Sequence, residues 1–334
     1  MARIVQVRRL GGPEHLVIAE AAPPEPGTGE LRFKVQAFAL NRADLLYMNG
    51  QHYTQLQLPS RLGSEAAGVV DAVGPGVMGW RVGDQVSSVP FFTTDSPRHG
   101  VQGEFAVVPA AFAAPWPAGF SAAEACSTWM QYLTAYFALI EVGRLRAGQR
   151  LLVVAGASTA GLGAIQLARA LGATVIATTR QADKLDFLRQ AGADHAVLTR
   201  DNADLAPELH RLGGGVDVVY DPVGGSFTQA YMNALWRGAR VIVYGLLDGA
   251  LDLQIPMLPA VRAMASIHPY SMFNHVSDPL ALAQGLRFLI DLIGAGRLRP
   301  RLDHVFEGLD ETVAAYRYML AGAQCGKIVV RVCS

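Results

Sequence analysis

One segment constrains the fold of this chain more than any other. Leu151-Leu152-Val153-Val154 is a short, wholly apolar strand, and it runs straight into the small-residue turn Ala155-Gly156-Ala157-Ser158-Thr159-Ala160-Gly161-Leu162-Gly163 before a helical stretch at 164–171. A buried strand, a tight turn and a helix start make up the first half of a parallel βαβ unit. Further strand-like runs at 174–178, 195–198, 216–220 and 240–244 alternate with helical patterns, and their side chains are apolar almost without interruption. Such strands need cover on both faces, so the expected architecture is α/β, a Rossmann-type doubly wound parallel sheet.

The same turn is suited to chemistry. Small residues let backbone amides approach a pyrophosphate, and the positive end of the helix dipole favours its charge. As a dinucleotide fingerprint the pattern is Gly156-x-Ser158-x-x-Gly161, with serine in place of the middle glycine. The second strand then ends at Thr179-Arg180, where NAD-binding units place an acidic residue for the ribose 2′-hydroxyl. A hydroxyl, a guanidinium and the nearby Lys184 suit a 2′-phosphate instead, which makes NADPH the expected cofactor. The competing account is a plain strand-to-helix turn with Arg180 and Lys184 as solvated surface charges.

The first 120 residues have a different period. Leu31, Phe33, Val35 and Ala37 alternate with Arg32, Lys34 and Gln36, as a half-buried strand requires, and apolar runs at 66–73 and 105–108 continue the β pattern. Ser121 with Glu124 forms a capping box that opens a helical stretch predicted over 125–140. Helices are predicted at 278–294 and 310–321, strands at 261–267 and 327–332, and 268–275 is read as an aromatic-rich loop that suits a cleft wall. The domain expectation is therefore a β-rich catalytic part over 1–122, a Rossmann part over 123–265, and a return to the first domain over 266–334.

With 334 residues, 51% of them apolar, both parts can bury a core. The 28 basic and 28 acidic residues balance and are dispersed, which argues against nucleic acid as a partner. No apolar run reaches membrane-spanning length, and the first residues lack a secretory pattern, so a cytoplasmic protein with no membrane partner is expected. Three cysteines, Cys126, Cys325 and Cys333, at unrelated spacings fit a reducing compartment.

Taken in order, Asn41-Arg42-Ala43-Asp44, residues 62–68, Thr134-Ala135-Tyr136, residues 157–166, Asp221-Pro222-Val223-Gly224-Gly225 and Gly326-Lys327-Ile328-Val329 resemble the quinone oxidoreductase branch, with its ζ-crystallin-like enzymes, of the medium-chain dehydrogenase/reductases. The resemblance implies a GroES-like β domain split around the Rossmann domain, a homodimer joined through the Rossmann sheet edge, and NADPH between the domains. It carries cofactor contacts to Asn41, Thr128, Gln131, Ala160, Thr179, Arg180, Lys184, Pro222, Val223 and Tyr244, beside Gly156, Ser158, Thr159, Gly161 and Gly245 of the turn and strand ends. One departure is Thr199, where relatives often have a tyrosine near the adenosine phosphate; Arg200 is the substitute to consider.

Zinc-dependent relatives would place ligands at Asn41, at Ser64 beside Glu65, and near Thr128 and Cys126. Amide and hydroxyl side chains replace thiolate and imidazole at two of these, residues 90–109 hold no cysteine, and His99 is read as a solvated loop residue, so no metal is expected. Without a Lewis acid, a conjugated acceptor is the natural substrate, a small planar quinone or an α,β-unsaturated carbonyl, because its own conjugation makes it electrophilic. Asn41 is the first candidate for stabilising the developing anion, or else only caps the helix that follows it. His52 and Tyr53 are candidate proton donors, with solvent as the alternative, and Asp44 is taken as structural. Two other readings stay open: a dehydrogenase for another small carbonyl compound, and an NADPH-binding sensor or structural protein with little turnover.

Overall fold

A computed structural model describes every residue except Tyr53, Thr94, residues 201–204 and the last two, Cys333 and Ser334. The chain divides into two compact units, Met1–Met130 with Arg299–Ser334, and Gln131–Leu298.

The first unit is β-rich. Strands β1 (Ala2–Val7), β2 (Leu16–Ala21), β3 (Glu30–Ala39), β4 (Ser60–Arg61), β5 (Glu65–Val73), β6 (Gln85–Ser88), β7 (Phe105–Pro109) and β8 (Ala113–Pro115) form two sheets. One is three-stranded, β2-β1-β4. The other is completed by strands from the end of the chain, and β7 pairs with β3 beside the main path. Along β3 the predicted face is realised: Leu31, Phe33, Val35 and Ala37 are buried, with Lys34 and Gln36 exposed between them. The short helices of this unit are α1 (Arg42–Met48), α2 (Ser96–His99) and α3 (Ala122–Ala125).

The stretch predicted as one helix over 125–140 is broken. After α3 the chain turns through Cys126, Ser127 and Thr128 and restarts as α4 (Trp129–Tyr136), which continues into a π-helical segment, Phe137–Val142. The break follows from side chains competing with the backbone: Ser127 Oγ donates to the Ala123 carbonyl at 2.6 Å and Thr128 Oγ1 to the Glu124 carbonyl at 2.8 Å, taking acceptors a continuing helix would need.

In the second unit, β9 (Arg150–Val153), β10 (Thr174–Thr179), β11 (His195–Leu198), β12 (Val216–Asp221), β13 (Leu235–Val243) and β14 (Ser266–Pro269) form a six-stranded sheet ordered β11-β10-β9-β12-β13-β14. Every ladder in it is parallel, and Leu151, Leu152 and Val153 of the central strand are fully buried. Helix α5 (Thr159–Ala170) follows β9 and α6 (Leu185–Ala191) follows β10. The fold class is therefore the expected one: a Rossmann-type parallel sheet and a separate GroES-like β unit.

Three details differ from expectation. Residues 261–267 are not one strand: a helix, Met257–Ala263, ends on Met264 in the left-handed region, and β14 begins at Ser266. The segment 268–275 is not a loop but the end of β14 followed by the helix Met272–Val276. Because β14 pairs in parallel with β13, residues 266–298 stay with the sheet of the second unit, and the return to the first comes at Arg299. There β15 (Leu302–Glu307) and β16 (Lys327–Arg331) extend the larger sheet to the order β15-β16-β3-β5-β6-β8.

Candidate active site

The predicted residues fall in both units: the turn and strand-end residues in the second, and Asn41, His52 and Thr128 in the first. In the second unit the chain leaves β9 with Ala155 at φ +52°, a conformation that side chains other than glycine's seldom adopt, and then reaches Gly156 and the start of α5. Ser158 is the N-cap of α5, and its hydroxyl accepts the Gly161 N–H at 3.1 Å. That explains the serine at the middle position of the fingerprint: there the side chain satisfies one of the helix's orphan donors. Gly161 is required by close approach, since a Cβ at this position would lie 2.7 Å from the Gly156 carbonyl oxygen and 2.8 Å from that of Ala155.

At the end of β10, Thr179 is buried and its hydroxyl accepts the Gln181 N–H at 3.1 Å, while Arg180 is exposed and Lys184 is buried in the following turn. Thr199 does not present a side chain comparable to a tyrosine: it is buried, and its N–H is donated to the Thr179 carbonyl at 2.9 Å. Arg200 is exposed. At the ends of β12 and β13 a second rim is held by a carboxylate that sequence reasoning did not single out. Buried Asp221 accepts the N–H groups of Val223 and Gly224 through one oxygen and the Tyr231 hydroxyl through the other. Pro222 and Val223 are fixed by this turn and linked to the next loop by Leu247 N–H to the Pro222 carbonyl and Asp248 N–H to that of Val223. Gly245 packs against Pro222, and Tyr244 stacks on Tyr220 with ring centroids 4.0 Å apart. The Tyr244 hydroxyl is buried beside Tyr220 and Ser158 without a well-formed hydrogen bond. Gln131 is buried, and its backbone lies 3.0 Å from where a Cβ on Gly163 would project.

The first unit holds a buried polar knot. Asn41 precedes α1, and its N–H is accepted by Asp44 at 2.8 Å. Its carboxamide is engaged on both sides: Nδ2 donates to Glu65 at 3.1 Å, and Oδ1 accepts from Lys327 Nζ at 2.6 Å. Lys327 also pairs with Glu65 at 2.6 Å, both side chains being 1% exposed, and the second Glu65 oxygen accepts the Met130 N–H at 2.7 Å. Burial pushes the Asp44 carboxyl up to about 7 against the hydrogen bonds from Asn41 and from the Tyr316 hydroxyl. Both bonds are accepted by the same Asp44 oxygen. Thr128 is buried close by in sequence, with its hydroxyl spent on Glu124.

His52 stacks on Tyr47 at 3.8 Å with Nδ1 2.9 Å from the Thr54 hydroxyl, and burial lowers its pKa to about 4. Tyr53 lies outside the described residues. His99 is not the solvated loop residue expected. It closes α2 with Nε2 2.8 Å from Glu30 and Nδ1 2.8 Å from Thr93, and the Arg98 guanidinium beside Glu30 holds that carboxyl down at about 2.

Among the described residues there is no group of three or more histidine, cysteine, aspartate or glutamate side chains able to hold a metal ion. The Lys327 ammonium brings the positive charge to Asn41 and Glu65, and burial drives the Cys126 thiol pKa upward while its Sγ points at the Ala123 carbonyl.

Comparison with known proteins gives this arrangement a family. Residues 27–118 match the alcohol dehydrogenase GroES-like domain and residues 160–288 the family described as zinc-binding dehydrogenase. The human synaptic vesicle membrane protein VAT-1 homolog is 30% identical over 330 residues, covering 93% of this chain and 81% of that protein. The chain belongs to the quinone oxidoreductase branch of the medium-chain dehydrogenase/reductases. The Escherichia coli quinone oxidoreductase, solved in complex with NADPH, superposes with a TM-score of 0.88 at 26% identity, covering 99% of this chain and all of that one. The crystal structure of an NAD-dependent alcohol dehydrogenase also has a TM-score of 0.88, at 32% identity and the same coverage. A mycocerosic acid synthase-like polyketide synthase of Mycobacterium tuberculosis is 32% identical over 330 residues; this chain spans only 15% of its length. Among the described residues no helix is long and apolar enough to cross a membrane.

The knot was the part that sequence reasoning missed. Glu65 and Lys327 stand inside motifs of the family, yet no spacing links them to Asn41.

Proposed function

We propose that this oxidoreductase uses NADPH to reduce quinones or α,β-unsaturated carbonyl compounds without a metal ion. The observation that carries this reading is the end of β10, where a buried hydroxyl, an exposed guanidinium and Lys184 stand in place of a carboxylate that would repel a 2′-phosphate. The residues fit the nucleotide. The capped turn at Ser158 and Gly161 leaves room for a close backbone approach, and the buried Tyr244 hydroxyl, lacking a well-formed bond, suits a polar ligand group. Gly156, Ser158, Thr159, Ala160 and Gly161 would hold the pyrophosphate; Thr179, Arg180 and Lys184 the adenosine phosphate; and Thr128, Gln131, Pro222, Val223, Tyr244 and Gly245 the remainder. When bound, the nucleotide supplies a hydride from nicotinamide C4.

On the protein side, Asn41 is the group to receive the developing negative charge. Its Nδ2 has two hydrogens and gives one to Glu65, leaving the second as a donor held in a fixed orientation by Lys327. An imidazole held neutral is a poor standing acid at pH 7, so His52 is assigned to lining the site, and solvent delivers the proton. Amide and hydroxyl at positions 41 and 64 form a weak donor set for zinc, and the Lys327 ammonium opposes a second cation there. A homodimer through the β14 edge accords with the open side of that strand.

Stopped-flow loss of nicotinamide absorbance with a panel of quinones and enones tests the assignment, NADPH being compared with NADH. Turnover with NADPH on a conjugated acceptor is expected. Tight binding without turnover on any acceptor would make the chain a nucleotide-binding sensor. About one zinc per chain, together with oxidation of simple alcohols, would favour the dehydrogenase reading, which the likeness to the NAD-dependent enzyme supports.

A further inference from the structure

Among the described residues, the first unit contains a buried cation without a counter-ion. Arg61, in the short strand β4, is 5% exposed. Its Nη2 donates to the Phe105 carbonyl, its Nε has no partner, and among the described residues no carboxylate lies within ion-pairing distance. Burial alone, with no acidic side chain to oppose it, lowers its pKa to about 10. The neighbouring arginines differ: Arg3 pairs with Glu104 and Asp310, Arg32 with Asp71 and Glu25, and Arg98 with Glu30. A desolvated guanidinium left unpaired is costly, and its planar fork matches a carboxylate.

Arg61 also borders a cavity of about 230 Å³, walled by Ile4, Gln6, Pro24, Pro59, Pro97 and Phe105. That space is below the roughly 300–1,000 Å³ typical of sites for larger ligands, so it suits a compact molecule. Its walls are mainly apolar. The cavity shares no residue with the knot at Asn41 or with the turn at Gly156. The structure assigns to this cavity a binding site for a small organic monocarboxylate, its acid group on Arg61 and its apolar body against the prolines and Phe105.

The inference is independent of the proposed reduction and is tested by binding alone. Isothermal titration of the full chain with propionate, butyrate and benzoate, with benzamide as the uncharged counterpart of benzoate and inorganic phosphate as the anion without an apolar body, is the first measurement. At least one monocarboxylate should bind at one site per chain, with benzamide about tenfold weaker or more, since charge-assisted hydrogen bonds supply the difference. Arg61→Met should abolish carboxylate binding. Crystals soaked in 4-bromobenzoate should show bromine between Pro59 and Phe105, a readout that stands even if the variant fails to fold. The proposal is overturned if none of the three acids binds, if benzamide binds as well as benzoate, if binding survives in Arg61→Met, or if bromine is absent from the cavity. Phosphate binding as tightly as the acids would overturn the organic-acid assignment in favour of a bare anion site.

Discussion

The nucleotide turn and the buried knot are made in opposite ways. The turn at 155–161 is assembled by neighbours: Ser158 caps a residue three positions on, and the remaining geometry is backbone. The knot is assembled across the whole chain, Lys327 reaching Asn41 over 286 positions and Glu65 over 262. One is a local shape and the other a long-range charge balance. The lesson is that the first rests on backbone geometry and one local side-chain cap, the second on charges brought together from distant positions, and each of the following experiments strains that contrast.

The largest effect is expected from Lys327→Met. Removing the ammonium leaves Glu65 charged, buried and unopposed, a loss of about 3–5 kcal/mol. Urea unfolding measures it, and a change below 1 kcal/mol would show that the knot is not held by its charge balance. Gly161→Ala comes next: its methyl group would press on the Gly156 and Ala155 carbonyls, costing about 1–3 kcal/mol of packing. Nucleotide affinity, followed by quenching of protein fluorescence, should fall with it, whereas Lys327→Met folded at low temperature should bind nucleotide normally. Arg180→Glu is a smaller perturbation at the surface, expected to cut the preference for NADPH over NADH about tenfold with no change in melting temperature.

The subtlest test is pH. The Asp44 carboxyl titrates near 7 when folded against 3.8 in the open chain, so its burial costs stability progressively as pH rises from about 4 to 7. The His52 imidazole titrates near 4 when folded against 6.5, so it costs stability as pH falls through the same range. The two slopes oppose one another. Glu65 and Lys327 also face Asp44, in opposite senses. In Asp44→Asn the His52 slope is no longer opposed by Asp44, and the urea midpoint should fall more steeply between pH 7 and 4.5 than in the parent protein. Equal slopes would remove Asp44 from the account.

Legibility followed the same division. The strand, turn and helix at 151–171 and the alternation of Leu31, Phe33, Val35 and Ala37 were readable because period and turn chemistry are local. The break at Cys126 was not, because helical spacing on either side hid two hydroxyls that bond backward to Ala123 and Glu124. Met257–Ala263 was mistaken in part for strand since a short apolar run has no unambiguous period. Asn41 was marked as chemically important from its family position, but its partners were not, for nothing in the spacing of residues 41, 65 and 327 announces contact. His99 was misjudged for the same reason: its partner Glu30 lies 69 positions away.

Strand β16 sits between β15 and β3 in the larger sheet, although nearly the whole described sequence separates it from β3. The Gln131–Leu298 unit can complete its own ladder from contiguous sequence, whereas the other unit needs a strand from far along the chain to pair with β3 and bring Lys327 to Glu65. A chain cut short ahead of Lys327 would therefore leave the 130 residues of Met1–Met130 without the strand that pairs with β3 and without the cation that faces Glu65.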